Sequence, residues 1–247
     1  MRAYNKVIAI LFTLFLSLFG AVNVNAKEPI VFTSSNGVEL TAKEYNFLVN
    51  MYNKDFPKDM TQEEYEFFYK GHNFNSPIEK KTYFEKDPKL KSGTFYGTSS
   101  KCIQISSACS GSYCAVTTTV TWYGNPSVKS YDLLGAYLAD VSLVNTPLTR
   151  SSSTTSSTAP SYTKTASNGV GASIRVPTAG SNISLYQALT TTKGGVVYAS
   201  YQHAKSNTTL AVSKQYNFSK VGYGGVFGFY GSALSVYDQM NGVYISV

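Results

Sequence analysis

The chain has 247 residues, of which 43% are hydrophobic and 14% are charged, a composition that can bury a core and excludes a disordered protein. Its 21 lysine and arginine residues outnumber its 14 acidic residues, which gives a formal net charge of +7. The basic residues are scattered, and acidic residues interrupt their densest run, over 80–91. This pattern favours a soluble, mildly basic protein and argues against a nucleic-acid-binding patch.

The first 26 residues have the pattern of a secretory signal peptide. Arg2 and Lys6 precede an apolar run over 7–19, and small residues lead up to Ala26. A basic start, an apolar segment and a small-residue cleavage site are the three parts of such a signal. We therefore expect cleavage after Ala26. No later segment has the apolar length of a membrane-spanning helix, so we predict a secreted, extracellular protein without stable membrane insertion.

Two capping boxes predict a short helical hairpin over 41–71. The boxes are Thr41–Glu44 and Thr61–Glu64, in which a threonine and a glutamate stand three residues apart. Aromatic and aliphatic residues follow each box at helical spacing, and we interpret them as packing faces. These residues are Tyr45, Leu48, Val49, Tyr52, Tyr65, Phe68 and Tyr69. Residues 72–92 are polar and charged and contain two prolines, so we predict a connector there and a first unit over 27–92.

Residues 93–247 are predicted to form one β-rich domain. Threonine, valine and tyrosine favour strands, and glycine, asparagine and proline separate the candidates. The candidate strands are 94–96, 102–106, 113–123, 131–137, 171–177, 183–189, 196–203, 208–213, 225–230 and 243–247. The predicted fold class is therefore mainly β, a β-sandwich-like domain preceded by a short helical hairpin. Residues 149–167 are mostly serine and threonine without a hydrophobic anchor, and we predict an exposed loop or flexible hairpin there.

Three cysteines lie close together in the sequence. Cys109 and Cys114 flank a predicted turn around 110–111 and would face each other within bridging distance, so we predict that they form a disulfide. Cys102 is then the odd thiol, and a Cys102–Cys114 pairing is the open alternative. The two histidines lack ligand spacing, so we predict no metal site and no cofactor.

Several segments of the β-rich region resemble uncharacterised secreted proteins of Gram-positive bacteria. They are Val120–Trp122, Pro126–Asp132, Val197–Ala204, Ser213–Ser219 and Gly222–Gly225. The resemblance covers roughly residues 93–247. It implies export and carries no particular activity.

The sequence shows no coherent catalytic set. No Gly-x-Ser-x-Gly elbow marks a nucleophile, and no paired carboxylates mark a glycosidase. We therefore predict a non-catalytic binding protein that acts at or outside the cell surface on a carbohydrate or protein ligand. Exposed tyrosines can stack on sugars or anchor proteins, and the candidates beside turn residues are Tyr123, Tyr223 and Tyr230.

Two other functions are alternatives. A secreted hydrolase would use His203 as its base, with a serine, threonine or cysteine as nucleophile and Asp132, Asp140 or Asp238 as the orienting group. A pore-forming toxin would insert the serine- and threonine-rich stretch into a membrane. That stretch lacks the alternating apolar residues that a membrane hairpin requires.

Overall fold

The computed structural model describes residues 28–71, 74–86, 99–158, 160–206, 216–221, 224–229, 237–240 and 242–247. The predicted signal peptide, the predicted strands 94–96 and 208–213, and the candidate residues Tyr223 and Tyr230 lie outside these ranges. Within them the fold is mainly β, as the sequence predicts.

The helical unit begins with a short hairpin of two strands that the sequence analysis did not predict. These are β1 (Ile30–Thr33) and β2 (Glu39–Thr41). Helix α1 (Ala42–Met51), a 3-10 helix (Phe56–Asp59) and helix α2 (Gln62–Gly71) follow. The two α-helices therefore lie inside the predicted range 41–71.

Both predicted capping boxes form. The Thr41 hydroxyl accepts a hydrogen bond from the Glu44 amide, and the Glu44 carboxylate accepts one from the Thr41 amide at 2.8 Å. Thr61 and Glu64 make the same reciprocal pair at the start of α2. Each box satisfies backbone donors that have no partner within the helix, which is why these short helices start at these threonines.

Two six-stranded antiparallel sheets form the main body. The strands of sheet I are β3 (Ile78–Lys86), β4 (Ser99–Ser110), β5 (Tyr113–Trp122), β7 (Leu148–Ser152), β8 (Ser157–Thr158) and β11 (Ser184–Thr192). Those of sheet II are β6 (Tyr131–Ala139), β9 (Pro160–Ala166), β10 (Gly169–Arg175), β12 (Val196–Ala204), β15 (Tyr237–Gln239) and β16 (Val243–Ser246). In space, sheet I has the order β3-β4-β5-β11-β7-β8, and sheet II has the order β15-β12-β6-β10-β9, with β16 also pairing with β12. A separate pair joins β13 (Tyr216–Val221) to β14 (Gly224–Phe229).

The side-chain alternation of the strands gives sheet I two buried faces. Its inner face packs on sheet II in the larger hydrophobic core, which contains Ile105 and Val116 of sheet I and Leu134 of sheet II. Its outer face packs on the helical unit in a second core. Sheet I contributes Ala108, Ala115, Tyr186 and Ala188 to that second core, and the helices contribute Leu48, Met51, Phe56 and Phe68. The helices therefore cover one face of the sandwich.

The predicted connector is wrong over 78–86, because this segment is the edge strand β3, paired along its length with β4. Its sequence, IEKKTYFEK, is heavily charged and lacks the regular alternation of hydrophobic and polar residues that predicts a strand. An edge strand needs only one hydrogen-bonded neighbour, and exposed lysines protect such an edge from pairing with other chains. Whether the first unit ends at residue 92 stays a prediction.

Of the two alternatives predicted over 149–167, the exposed loop is wrong, because β7, β8 and β9 occupy most of the segment. A hairpin is present, since β7 pairs with β8 in antiparallel fashion. Polar bonds replace the missing hydrophobic anchor. Arg150, Ser151 and Ser152 are all buried, and the Ser151 hydroxyl donates a hydrogen bond to the Arg175 carbonyl at 2.8 Å. The predicted packing face of α2 is wrong at Tyr69, which is 64% exposed.

Candidate functional site

A polar cleft of about 480 Å³ opens between the helical unit and the β7–β8 edge of sheet I. We call it the hydroxyl-rich cleft. The helical unit lines it with Ser35, Asn36, Asp55, Lys58 and Asp59. Sheet I and its loops line it with residues 152–157, which are all serine or threonine, and with Asn182. Hydroxyl and amide side chains, which both donate and accept hydrogen bonds, therefore make up most of its wall.

The rim of the hydroxyl-rich cleft is a serine turn. The Ser153 hydroxyl accepts hydrogen bonds from the amides of Thr155 and Ser156, at 3.3 and 3.2 Å. The same hydroxyl donates to the Ala179 carbonyl at 2.8 Å, which ties the turn to the loop that precedes β11. Side-chain bonds of this kind replace regular secondary structure in short polar turns. The rim is therefore held by its own hydroxyl groups.

Thr154 strengthens the connection between the two loops. Its amide donates to the Ser181 carbonyl, and its hydroxyl accepts from the Ser181 amide, both at 3.0 Å. Gly180 lies against this junction with a φ of +83°, and a Cβ atom there would stand 2.6 Å from the Ser153 hydroxyl oxygen. Only glycine allows both this left-handed backbone conformation and so close an approach.

Arg150 does not line the cleft itself but binds Asp59, which does. Its Nε donates to the Glu64 carboxylate at 2.5 Å, its Nη1 to Asp59 at 2.7 Å, and its Nη2 to the Phe56 carbonyl at 3.0 Å. The guanidinium carbon also lies 4.7 Å from the centre of the Phe56 ring and 4.9 Å from that of Tyr186. Arg150 thus joins β7 of sheet I to the 3-10 helix and α2 of the helical unit.

Electrostatics hold Arg150 in its charged form. Burial alone would lower its pKa, but Glu64 and Asp59 together raise it. Burial raises the pKa of Glu64, and the attraction of Arg150 opposes that rise. Asp59 also accepts a hydrogen bond from the Ser152 hydroxyl at 2.7 Å, so this carboxylate connects the ion network to the cleft wall.

His203 belongs to a different polar cluster, between the two sheets. Its Nδ1 lies 3.0 Å from both carboxylate oxygens of Asp132, which also accepts hydrogen bonds from the Tyr201 hydroxyl and the Ala204 amide. Tyr201 in turn accepts a bond from the Trp122 indole at 3.1 Å. Asp132 is completely buried, and burial, followed by the charge of Asp132, raises the pKa of Tyr201 well above its ordinary value. Of the three aspartates considered above, Asp132 contacts the imidazole, and Asp238 lies opposite His203 in the pairing of β12 with β15.

This cluster fixes the orientation of the imidazole and gives the buried carboxylate three kinds of donor. The His203 side chain is 12% exposed, and its ring packs 4.7 Å from that of Trp122, centre to centre. Within the described ranges, no serine or threonine hydroxyl and no cysteine thiol is hydrogen-bonded to His203. A hydrolase that uses His203 stays a hypothesis, and the contacts present support a role in holding the two sheets together.

The cysteines are arranged as predicted. Cys109 and Cys114 form a disulfide across the β4–β5 hairpin, where they are directly opposite each other. Cys102 is a free thiol that is 7% exposed, and burial raises its pKa. Its sulfur accepts a hydrogen bond from the Tyr123 hydroxyl at 3.2 Å.

Tyr123 is the one predicted binding tyrosine that lies in the described ranges. It is 42% exposed, in accordance with its place beside a turn, and its ring stacks on Phe84 with centres 6.4 Å apart. It does not line the hydroxyl-rich cleft. Serine and threonine enrichment by itself indicates only a loop, so the sequence did not reveal the cleft. The overlooked signal is Arg150, which with Lys164 is one of the two charged residues of that run. A buried arginine requires an acidic partner.

Comparisons with known proteins give little more. No protein family and no curated protein matches the chain. Among the described residues, no helix is long and apolar enough to cross a membrane, and no group of three metal-binding side chains occurs. One solved structure that matches is the KRT10-binding region domain of the pneumococcal serine rich repeat protein PsrP. The match has 16% identity and a TM-score of 0.29, and it covers 51% of this chain and 86% of that one.

Proposed function

We propose that this chain is a secreted, non-catalytic binding protein that acts at or outside the cell surface, and that its hydroxyl-rich cleft binds a carbohydrate. The signal-like sequence at residues 1–26 supports export. The Cys109–Cys114 disulfide supports it as well, since such bonds persist in oxidising compartments.

The observation that carries the proposal is the chemistry of the cleft wall. A sugar ring presents several hydroxyl groups that each donate and accept hydrogen bonds, and the wall presents groups of the same dual kind. Ser35, Thr155 and Asn182 make no side-chain hydrogen bond to any other described residue, so a ligand can use them.

The charges in the cleft favour an uncharged ligand. Lys58 is paired with Asp55 at 2.6 Å, and Asp59 is paired with Arg150 at 2.7 Å. Arg150 is shared between Asp59 and Glu64, so every cation at the cleft is already paired and none is left to bind an anionic ligand. Preformed hydrogen-bonding groups of this kind reduce the entropy that binding would otherwise cost.

A glycan array followed by calorimetry with a neutral oligosaccharide tests the proposal. Gly180→Ala is the informative variant, because its new methyl group would collide with the hydroxyls of the rim. Gly111→Ala is the matched control. Gly111 also has a positive φ, of +59°, but nothing lies within 4 Å of its Cβ position, and it belongs to the turn after β4, at the opposite end of sheet I.

We expect the wild type and Gly111→Ala to bind the sugar equally and Gly180→Ala to bind about tenfold more weakly, the effect of losing one good hydrogen bond. Equal affinity of the two variants would contradict the assignment of the cleft. If no glycan binds and a pull-down from cell surfaces yields a saturable protein partner, the carbohydrate proposal is wrong.

A further inference from the structure

A second concave surface lies on the other side of the helical unit, between α1 and the edge strand β3. It has a volume of about 560 Å³ and shares no residue with the hydroxyl-rich cleft. We call it the basic trough. Its polar lining consists mainly of Lys43, Asn46 and Asn50 from α1 and Lys80 from β3.

The sequence places these side chains on facing surfaces. Residues 43, 46 and 50 follow the i, i+3, i+7 spacing of one helical stripe, while Leu48 and Met51 of the same helix are buried in the second core. On β3, Lys80 is opposite Ser106, on the outer face of sheet I that carries the helices. Its neighbour Glu79 alternates to the other face.

The floor of the trough is aromatic. Phe47 is 4% exposed, and Phe74 is half-buried beside it. The two rings meet edge to face, with centres 5.3 Å apart and planes at 84°. An apolar floor beneath amide and ammonium groups is a common composition for a ligand site.

The two lysines of the trough lack the partners that other lysines of this chain have. Lys58 is paired with Asp55 and Lys101 with Glu85, each at 2.6 Å. Lys43 and Lys80 make no ion pair or hydrogen bond within the described ranges, and the lining contains no carboxylate. The only acidic residue of α1, Glu44, is bound to Thr41 and to the Tyr65 hydroxyl. The trough is therefore positively charged, and none of the described residues of its wall neutralises that charge.

We infer that the basic trough binds an anionic polysaccharide. The ammonium groups of Lys43 and Lys80 pair with carboxylate or phosphate groups of the polymer, and the amides of Asn46 and Asn50 hydrogen-bond the ring hydroxyls. The aromatic floor packs against the apolar side of a sugar ring. This site is independent of the proposed cleft, so either can fail without the other.

The test is binding of the full secreted chain to three soluble polymers, namely polygalacturonate, a phosphorylated mannan and neutral dextran. We expect binding to at least one of the two polyanions and none to dextran, with an affinity that decreases as the salt concentration rises. The two polyanions distinguish carboxylate from phosphate as the preferred group. Absence of binding to both would overturn the inference.

Charge-reversal variants locate the site. Lys43→Glu and Lys80→Glu should each raise Kd about tenfold, as expected for the loss of one charge-assisted bond. Lys205→Glu makes the same change in net charge at an exposed position just after β12 in sheet II, and it should leave Kd unchanged. The neutral variants Lys43→Gln and Lys80→Gln, with circular dichroism as the check on folding, should weaken binding less than the reversals do.

Two results would contradict the assignment. If Lys205→Glu weakens binding as much as Lys43→Glu, the polymer responds to overall charge and not to the trough. If Gly180→Ala abolishes binding of the polyanion, the ligand occupies the hydroxyl-rich cleft instead.

Discussion

Removing the Arg150 guanidinium should lower the free energy of unfolding, because this group connects the helical unit to sheet I. In Arg150→Met the chain keeps an apolar stem of similar length and loses all three guanidinium hydrogen bonds, to Glu64, Asp59 and the Phe56 carbonyl. Two carboxylates are then left without their cation. The Glu64 side chain is 11% exposed, so its negative charge is left uncompensated in a largely buried position. The Asp59 side chain is 21% exposed and is partly solvated by water.

Breaking a buried ion pair by removing one partner costs about 3–5 kcal/mol. We expect a loss near the lower end, about 3 kcal/mol, because water and the Ser152 hydroxyl continue to solvate Asp59. The assay is urea unfolding followed by the fluorescence of Trp122, the only tryptophan of the chain. Adding Glu64→Gln to Arg150→Met should recover part of the loss, since it removes the uncompensated buried charge.

Lys58→Ala is the control for this prediction. It removes an ion pair of the same type, but the Lys58 side chain is 63% exposed, and such surface pairs contribute about 0–1 kcal/mol. If Arg150→Met costs no more than Lys58→Ala, Arg150 does not connect the two parts in the way described.

Three further predictions concern the cysteines and the buried tyrosines. Replacing Cys109 and Cys114 by serine should lower the free energy of unfolding by about 2 kcal/mol in a denaturant titration, because the bond closes only a short loop, and no loss would contradict this. Since Cys102 is buried and its pKa is raised, Ellman's reagent should detect one slow thiol per native chain and a fast one after unfolding, and a fast native thiol would be the contrary result. Burial raises the pKa values of Tyr186 and Tyr201, so the unfolded chain loses these protons at a lower pH than the folded chain does, and stability should decrease as the pH rises above about 10. The last prediction would be refuted if the urea midpoint were the same at pH 8 as at a pH above about 10.

Local signals in the sequence predicted the elements that local forces determine. The capping boxes at Thr41 and Thr61 act within four residues, and both helices begin there. The Cys109–Cys114 disulfide was predictable for the same reason, because a hairpin turn by itself brings the two residues together. The β-branched runs located most of the central strands of both sheets.

Non-local contacts account for what the sequence did not reveal. Strand β3 is charged and becomes a strand only because β4 offers it a paired edge. Arg150 finds Glu64 and Asp59 more than eighty residues away in the sequence, and the cleft exists only where the Ser153 turn meets the Gly180 loop. The spacing of residues along the chain does not predict contacts between segments so far apart in the sequence.

The central claim is that the hydroxyl-rich cleft binds a carbohydrate, and amide chemical-shift mapping tests it most directly. A neutral oligosaccharide from the array is titrated into isotope-labelled protein, and the shifted amides are located on the structure. We expect the largest shifts at Asn36, residues 153–157 and Asn182. Shifts that instead cluster around the exposed Tyr123, or no shifts at a saturating sugar concentration, would contradict it.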